Sequence, residues 1–289
     1  MDTARPRIGF IGAGRVASAL SRALARAGQR VVAVFDRIPA KSAVVAATIP
    51  GCRSALSMQE VADAADLVFL SVSDDAIASV ASSIHWRPGQ AAIHCSGAAE
   101  LDVLEAARRQ GARTGSFHPL QLFSDPDVAA AGLSRCAIAL DAEPQLFIEL
   151  ERLVEALGAR PLRVPPGKRA AYHAASHYAA AFLCVLLREG EKILGALGMD
   201  ESEAGRGLQA LAHGTLDAIE HSGPAQAMAG VYSRGDVGTA ARHIQALSGI
   251  GPGVLGLYSE LAERSIQLAL EAGRIDSAKA AALRRLLAQ

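Results

Sequence analysis

The segment Ile8-Gly9-Phe10-Ile11-Gly12-Ala13-Gly14-Arg15-Val16-Ala17 constrains this chain more than any other. An apolar run of strand type ends at two glycines one residue apart, and an alanine-rich run with helical spacing begins at once. Such a join demands a tight strand-turn-helix unit. Gly12 permits the turn, Gly14 lets another group approach the backbone, and small Ala17 lets the helix pack close to the strand. The first N–H groups of the helix are left without partners, so that end suits a negatively charged phosphate. A plain glycine-rich turn is the alternative, and only the surrounding pattern separates the two.

That pattern continues through the first half of the chain. Short runs rich in Val, Ile and Ala at 7–11, 30–35, 67–72, 91–94, 113–117, 136–140 and 161–164 alternate with helical segments such as 17–27 and 145–157. Alternation of this kind predicts an α/β domain over residues 1–165, a doubly wound, mostly parallel sheet of the Rossmann type. Pro165-Pro166-Gly167 then interrupts the chain, since paired prolines cannot propagate a helix. From 166 to 289 the strand signal is gone. Helices are expected at 169–197, 201–222, 237–246, 253–272 and 277–287, making an all-α C-terminal domain for substrate binding and dimerisation. Gly198, Gly223 and Gly273 stand where left-handed caps belong, and Asp236 and Ser277 stand as N-caps.

Composition narrows the class. With 289 residues, 51% of them hydrophobic, the chain can bury two cores. Lys plus Arg equal Asp plus Glu at 29 each, which provides no basic field for nucleic acid. Cys52, Cys95, Cys136 and Cys184 lie far apart, so no CxxC pair exists, and a reduced cytoplasmic protein is expected. The polar start, Met1 to Arg7, leaves no room for the apolar core of a signal peptide. The stretch 170–187 lacks Asp, Glu, Lys and Arg and approaches the length of a membrane span. It carries Tyr172, His173, Ser176, His177 and Tyr178, however, and reads as a buried central helix of a soluble protein with no membrane partner. A helix this apolar needs cover on most sides, so a homodimer through the C-terminal helices is expected.

The run at 30–35 is followed by Asp36, twenty-four residues after Gly12, where a carboxylate can accept from an adenosine ribose. The combination predicts a dinucleotide site made by Gly12, Ala13, Gly14, Arg15, Val16, Asp36 and Arg37, with Ser71, Val72 and Ser73 beside the nicotinamide half. Asp36 leans toward NAD, because its charge repels a 2′-phosphate. Arg37 and Lys41 keep NADP open.

Four other segments carry candidate chemistry. Ser96 and Gly97, after the run ending at His94, bring a hydroxyl and a flexible backbone to the sheet edge and suit a substrate carboxylate or carbonyl; a simple Ser-Gly turn is the alternative. Cys95 reads as a small buried thiol. His118, held at a strand end by Pro119, can donate to or protonate an oxygen as a hydride moves, with Gln121 close behind as a substrate contact. His173 and His177 share one helix face. Either a general acid and a substrate contact, or two core histidines, fits them; a zinc pair lacks an evident third ligand, so no metal is expected. Arg234 can clamp an anion, although Gly235 and Asp236 more simply make a turn and a cap.

Taken together, 12–17, 94–98, 116–123, 172–178 and 234–247 resemble, over nearly the full length, a family of Rossmann-like oxidoreductases with a helical C-terminal domain of unknown function. The chain is also similar to β-hydroxyacid dehydrogenases, pyrroline-5-carboxylate reductases and prephenate dehydrogenases. The first of these resemblances implies a catalytic lysine with an asparagine four positions on, and His173 and His177 stand in those places. The family's own pattern has asparagine where His177 stands. Likewise Ala229-Gly230-Val231 replaces Thr-Gly-Pro ahead of Arg234. His118-Pro119 resembles the catalytic histidine-proline segment of prephenate dehydrogenases. Residues and resemblance together lead to the expectation of hydride transfer between NAD(P) and a small carbonyl, imine or hydroxy-acid substrate in a cleft between the domains, with Ser96 and Gly97 orienting the substrate and His118 or His173 moving the proton. A dinucleotide-binding sensor without turnover is the rival reading.

Overall fold

The computed structural model describes residues 5–288, which divide after Ala180 into two compact units. The first contains β1 (Arg7–Ile11), β2 (Arg30–Phe35), β3 (Arg53–Ser54), β4 (Leu67–Leu70), β5 (Ala91–His94), β6 (Arg113–Pro119), β7 (Ala137–Ala142) and β8 (Arg160–Arg163). These strands form one sheet in the order β3-β2-β1-β4-β5-β6-β7-β8, parallel except where β7 runs against β6. Helices α1 (Arg15–Arg26), α2 (Pro39–Ala47), α3 (Met58–Ala64), α4 (Asp74–Ser82), α5 (Glu105–Arg109), α6 (Pro126–Gly132) and α7 (Pro144–Ala156) lie between strands, and α8 (Arg169–Ala179) ends the unit. The doubly wound, mostly parallel sheet is therefore present.

Every residue of β4 and β5 is buried, as strands covered by helices on both faces must be. Side-chain alternation sorts them between two cores. Phe10, Phe69 and Ile93 pack with Leu20 and Leu24 of α1 and Leu150 of α7. Val68, Leu70 and Ala92 pack on the other face with Val61, Ile77 and Trp86. Phe10 stacks on Phe69 at 5.0 Å between ring centroids, and Phe117 meets Phe69 edge-on at 5.5 Å.

The sequence sets a boundary at residue 165, whereas the first unit extends through α8. Arg169, in the first turn of that helix, is fully buried and ties α8 to the sheet unit. The second unit contains α9 (Ala181–Ala196), α10 (Glu201–Ala227), α11 (Val231–Arg234), α12 (Val237–Ser248), α13 (Pro252–Glu271) and α14 (Ser277–Leu287). Ala240, Ile266, Ala269, Ile275 and Leu283 make its core. Asp236 caps α12 by accepting from the Thr239 N–H. The cap of α14 is Asp276, which accepts from the Lys279 N–H, and Ser277 already lies inside the helix.

The expected buried helix at 170–187 needs correction. It bends at Ala180 (φ −118°, ψ −92°), which separates α8 from α9. No residue of α9 is buried; Phe182 is 46% and Val185 51% exposed. Leu208 of α10 packs against Gly190, and Leu183, Leu187, Ile193 and Leu194 are half-buried. By length and composition alone, 169–196 is long and apolar enough to cross a membrane.

The aromatic stack generates a stability prediction. Phe69→Ala should cost about 3–5 kcal/mol, read as a lower urea midpoint, because two rings lose their shared partner. A midpoint close to that of the parent chain would show that the core collapses around the deletion.

Candidate functional site

Parallel strands deliver their carboxyl ends to one sheet edge, and the dinucleotide candidates lie there. Gly12 follows β1 with φ +98°, and a Cβ at this position would stand 2.3 Å from the Ser71 carbonyl oxygen. The turn thus passes the end of β4 too closely for any side chain, with Val72 also against it. Gly14 precedes α1 without a side-chain cap, and nothing lies within 4 Å of where its Cβ would be. The first N–H groups of α1 therefore remain available to an anion. Ala17 is fully buried. The Asp36 carboxylate accepts from the Ala13 N–H at 2.8 Å and the Ile38 N–H at 2.9 Å, fastening the glycine turn to the end of β2. Arg15, Arg37 and Lys41 are exposed and form no ion pair with a described residue. Ser73 precedes α4 as its N-cap.

Farther along the same edge, β5 ends at His94 and the chain turns through 95–99. Ser96 closes this turn: its Oγ accepts from the Ala98 and Ala99 N–H groups and donates to Asp74 Oδ2 at 2.7 Å. Next comes Gly97, where a Cβ would lie 2.5 Å from His173 Cδ2 and 2.8 Å from His118 Nε2. Only glycine lets two imidazoles reach this backbone. The rings of His118 and His173 meet edge-on at 5.8 Å, and those of His173 and His177 at 4.8 Å. His118 Nδ1 is hydrogen-bonded to the Tyr172 hydroxyl at 2.9 Å. His177 Nδ1 donates to the His173 carbonyl at 3.0 Å, which fixes its tautomer.

Arg169 lies beneath these groups with no exposed surface. Nη1 donates to Ser116 Oγ and Nη2 to the Ser96 carbonyl, each at 2.7 Å. Burial, reinforced by the Arg169 charge, pushes His118 down to about 4 and His94 down to about 3. Both are therefore neutral at neutral pH. Neither ring nitrogen of His94 meets a hydrogen-bond partner among the described residues. Burial also raises the Tyr172 phenol to about 12 and the Cys95 thiol to about 12, so each keeps its proton.

Of the residues expected from sequence, Gly97, His118 and His173 come into mutual contact, with His177 behind His173. The Ser96 hydroxyl is committed to its own turn and to Asp74. Gln121 lies against Gly132 of α6, where its amide would meet a Cβ at 2.2 Å. Gly235 (φ +69°) and Asp236 make the turn and cap beside Arg234, which is exposed. Among the described residues no group of three His, Cys, Asp or Glu is placed to hold a metal ion. Sequence reading assigned no site role to Arg169, Tyr172 or Asp74. Tyr172 precedes His173 and was legible as a neighbour; Arg169 looks like any helix-start arginine until its burial is seen.

The neutral histidines make stability pH-dependent. From an ordinary value of 6.5, both folded-state values are lowered. The unfolded chain takes up protons below that pH while the folded chain refuses them. Their stabilising contribution is therefore complete above 6.5 and is lost as pH falls through about 4 and then about 3. Urea midpoints measured across this window should decline, and His118→Gln should flatten the upper part. An identical slope in the variant would remove His118 from the account.

Residues 1–119 match the model of a Rossmann-like domain, and residues 136–265 match that of a domain of unknown function, DUF2520. No curated protein matches the chain. A structure from Bacteroides fragilis, provisionally described as an NADP oxidoreductase, is 22% identical with a TM-score of 0.72, covering 91% of this chain and 98% of its own. The 1-pyrroline-5-carboxylate reductase of Streptococcus pyogenes is 16% identical with a TM-score of 0.65, covering 92% and 98%. An imine reductase from Pseudomonas sp. is 19% identical with a TM-score of 0.64, covering 98% and 99%. At such identities the likeness is one of fold. The chain is thus one in which a Rossmann-like domain is followed by the DUF2520 domain, with the fold shared by these reductases.

Proposed function

We propose that the chain is a nicotinamide-dependent oxidoreductase that moves a hydride between NAD(P) and a small carbonyl, imine or hydroxy-acid substrate. One observation carries the reading: Gly97, at the same sheet edge as the glycine turn, touches two imidazoles at once. The names of the proteins that share the fold, an NADP oxidoreductase and reductases of imine-type compounds, agree with it.

The residues fit a dinucleotide. Gly12 has no room for a side chain, Gly14 has open space beside it, and α1 begins without a side-chain cap, so this turn would hold the pyrophosphate. Asp36 spends one lone pair of each oxygen on Ala13 and Ile38 and can still accept from a ribose hydroxyl. Arg37 and Lys41, exposed and without ion-pair partners among the described residues, fit a 2′-phosphate. On this ground we read NADP in preference to NAD, against the lean that Asp36 gives by itself. When bound, the nicotinamide supplies or accepts the hydride.

The chain's own residues orient the substrate and manage the proton. A carbonyl oxygen or imine nitrogen over Gly97 is within reach of His118 Nε2. Tyr172 keeps its proton and is assigned as donor to Nδ1, which leaves the His118 proton on Nε2. A neutral Nε2–H polarises the substrate by hydrogen bonding without being transferred. Proton exchange falls to His173, which contacts the same glycine and is only half-buried. Ser96 shapes the turn that presents Gly97.

A screen of small carbonyl and imine acids with both cofactors, followed by nicotinamide absorbance, tests the reading. His118→Ala, which removes a polarising donor, should lower turnover about 10²–10³-fold, and His173→Ala, which removes the proton carrier, about 10²–10⁴-fold, each with dinucleotide affinity retained. Unchanged turnover in both variants would eliminate it. The cofactor assignment has its own check by fluorescence titration. Arg37→Ala with Lys41→Ala should weaken NADPH binding about tenfold or more and leave NADH nearly unaffected; equal effects on the two would exclude a phosphate contact.

A further inference from the structure

We infer that Arg169 is the positioning residue of the histidine site, holding the Ser96-Gly97 turn, β6 and α8 together through its guanidinium fork and lending the pocket a fixed positive charge. The part concerning turnover rests on the proposed function; the part concerning geometry and charge does not.

The geometry is specific. Nη2 binds the carbonyl of Ser96, the residue next to Gly97, and Nη1 binds the hydroxyl of Ser116, each at 2.7 Å. Ser116 and His118 are two apart on β6 and so share a sheet face. Tyr172 and His173 are three and four residues beyond Arg169 on α8, on its own helix face. One arm of the fork therefore ends on the residue beside Gly97, and the other two residues from His118, which meets Gly97. The amino end of α8 is secured independently: Glu100 accepts from the Arg169 N–H at 3.0 Å and the Gly167 N–H at 3.1 Å.

The charge is unusual as well. Arg169 has no exposed surface, and no carboxylate lies within ion-pair distance of it among the described residues. Its Nε has no hydrogen-bond partner among the described residues. Burying a guanidinium on two neutral acceptors is costly, and an apolar side chain would fill the same volume at less expense. Its two arms instead join elements that hydrophobic packing alone would leave free to shift. Around His118 stand Arg169, Tyr172 and His173 from α8, Asp74 from the start of α4, and His94 from β5. Arg169 opposes protonation of His118, and Asp74 favours it.

Two variants of the full chain separate the roles. Arg169→Lys keeps the charge and loses the fork, and Arg169→Gln keeps an amide donor and loses the charge. Both are followed by NMR titration of the His118 imidazole and by hydrogen exchange at Ala98 and Ala99, whose N–H groups bind Ser96 Oγ. Arg169→Lys should leave the His118 titration near that of the parent chain, speed exchange at both amides, and lower turnover about tenfold or more. Arg169→Gln should do the same and also move the His118 titration to higher pH. Unchanged exchange in both variants, with His118 titrating in Arg169→Gln as in the parent, would overturn the inference. If circular dichroism shows Arg169→Gln unfolded, Ser116→Ala decides the matter. It removes one acceptor and leaves the charge, so exchange must quicken while the titration holds; unchanged exchange overturns the inference. A parent chain without turnover on any substrate would sink the proposed function, and the exchange and titration results would still decide the role of Arg169.

Discussion

β1, β2, β4, β5 and β6 run in one direction, and most of the architecture follows from that. Parallel neighbours cannot be joined by a hairpin, so each connection crosses over the sheet and every carboxyl end opens at the same edge. Gly12, Asp36, Ser71, Gly97 and His118 meet there for this reason, although more than a hundred residues separate the first from the last. The strand order reverses between β1 and β4, and the Gly12 turn stands at that point. Sheets of this kind bind ligands at such a crevice. Covering both faces requires two cores, and Phe69 with Val68 shows how adjacent residues of one strand serve them in turn.

Within that edge, charge and burial pull against each other. Arg169 gives up its hydration and recovers part of the loss through two hydrogen bonds to neutral oxygens. Its field adds to burial in keeping His94 and His118 uncharged, and burial keeps the Tyr172 proton in place. The pocket beside Gly97 is consequently one of hydrogen-bond donors and acceptors that includes the Arg169 guanidinium and, through Ser96, the Asp74 carboxylate. Polarisation of a bound carbonyl or imine suits such a setting better than proton transfer from His118 itself.

Several features were legible because a single segment contains their cause. The Gly12 turn needs a positive φ, a local demand that points to glycine, and the end of β4 adds a second demand that only the fold makes. β4 and β5 announce themselves as unbroken apolar runs. Asp236 stands where a capping carboxylate belongs. β3 has only two residues and is a strand through pairing with Ala33 and Val34 of β2, which no local pattern reveals. Apolar composition showed that 170–187 is helical, but the burial expected from it is absent in α9, because composition does not say which faces neighbouring elements cover. Ser96 attracted attention for its hydroxyl, yet the fold uses that hydroxyl to close a turn.

The sequence by itself determined most of the elements and the glycine turn after β1, since backbone geometry and hydrophobic period act over a few residues. It also determined which residues could take part in chemistry. The tertiary structure decided which of them meet. Gly97 lies under His118 and His173, Asp36 turns back to Ala13, and Arg169 is buried between β5, β6 and α8, because those distances depend on how separate elements pack. The glycines at 12 and 97 illustrate the difference: the first is demanded by its own turn, the second by two side chains that arrive from elsewhere.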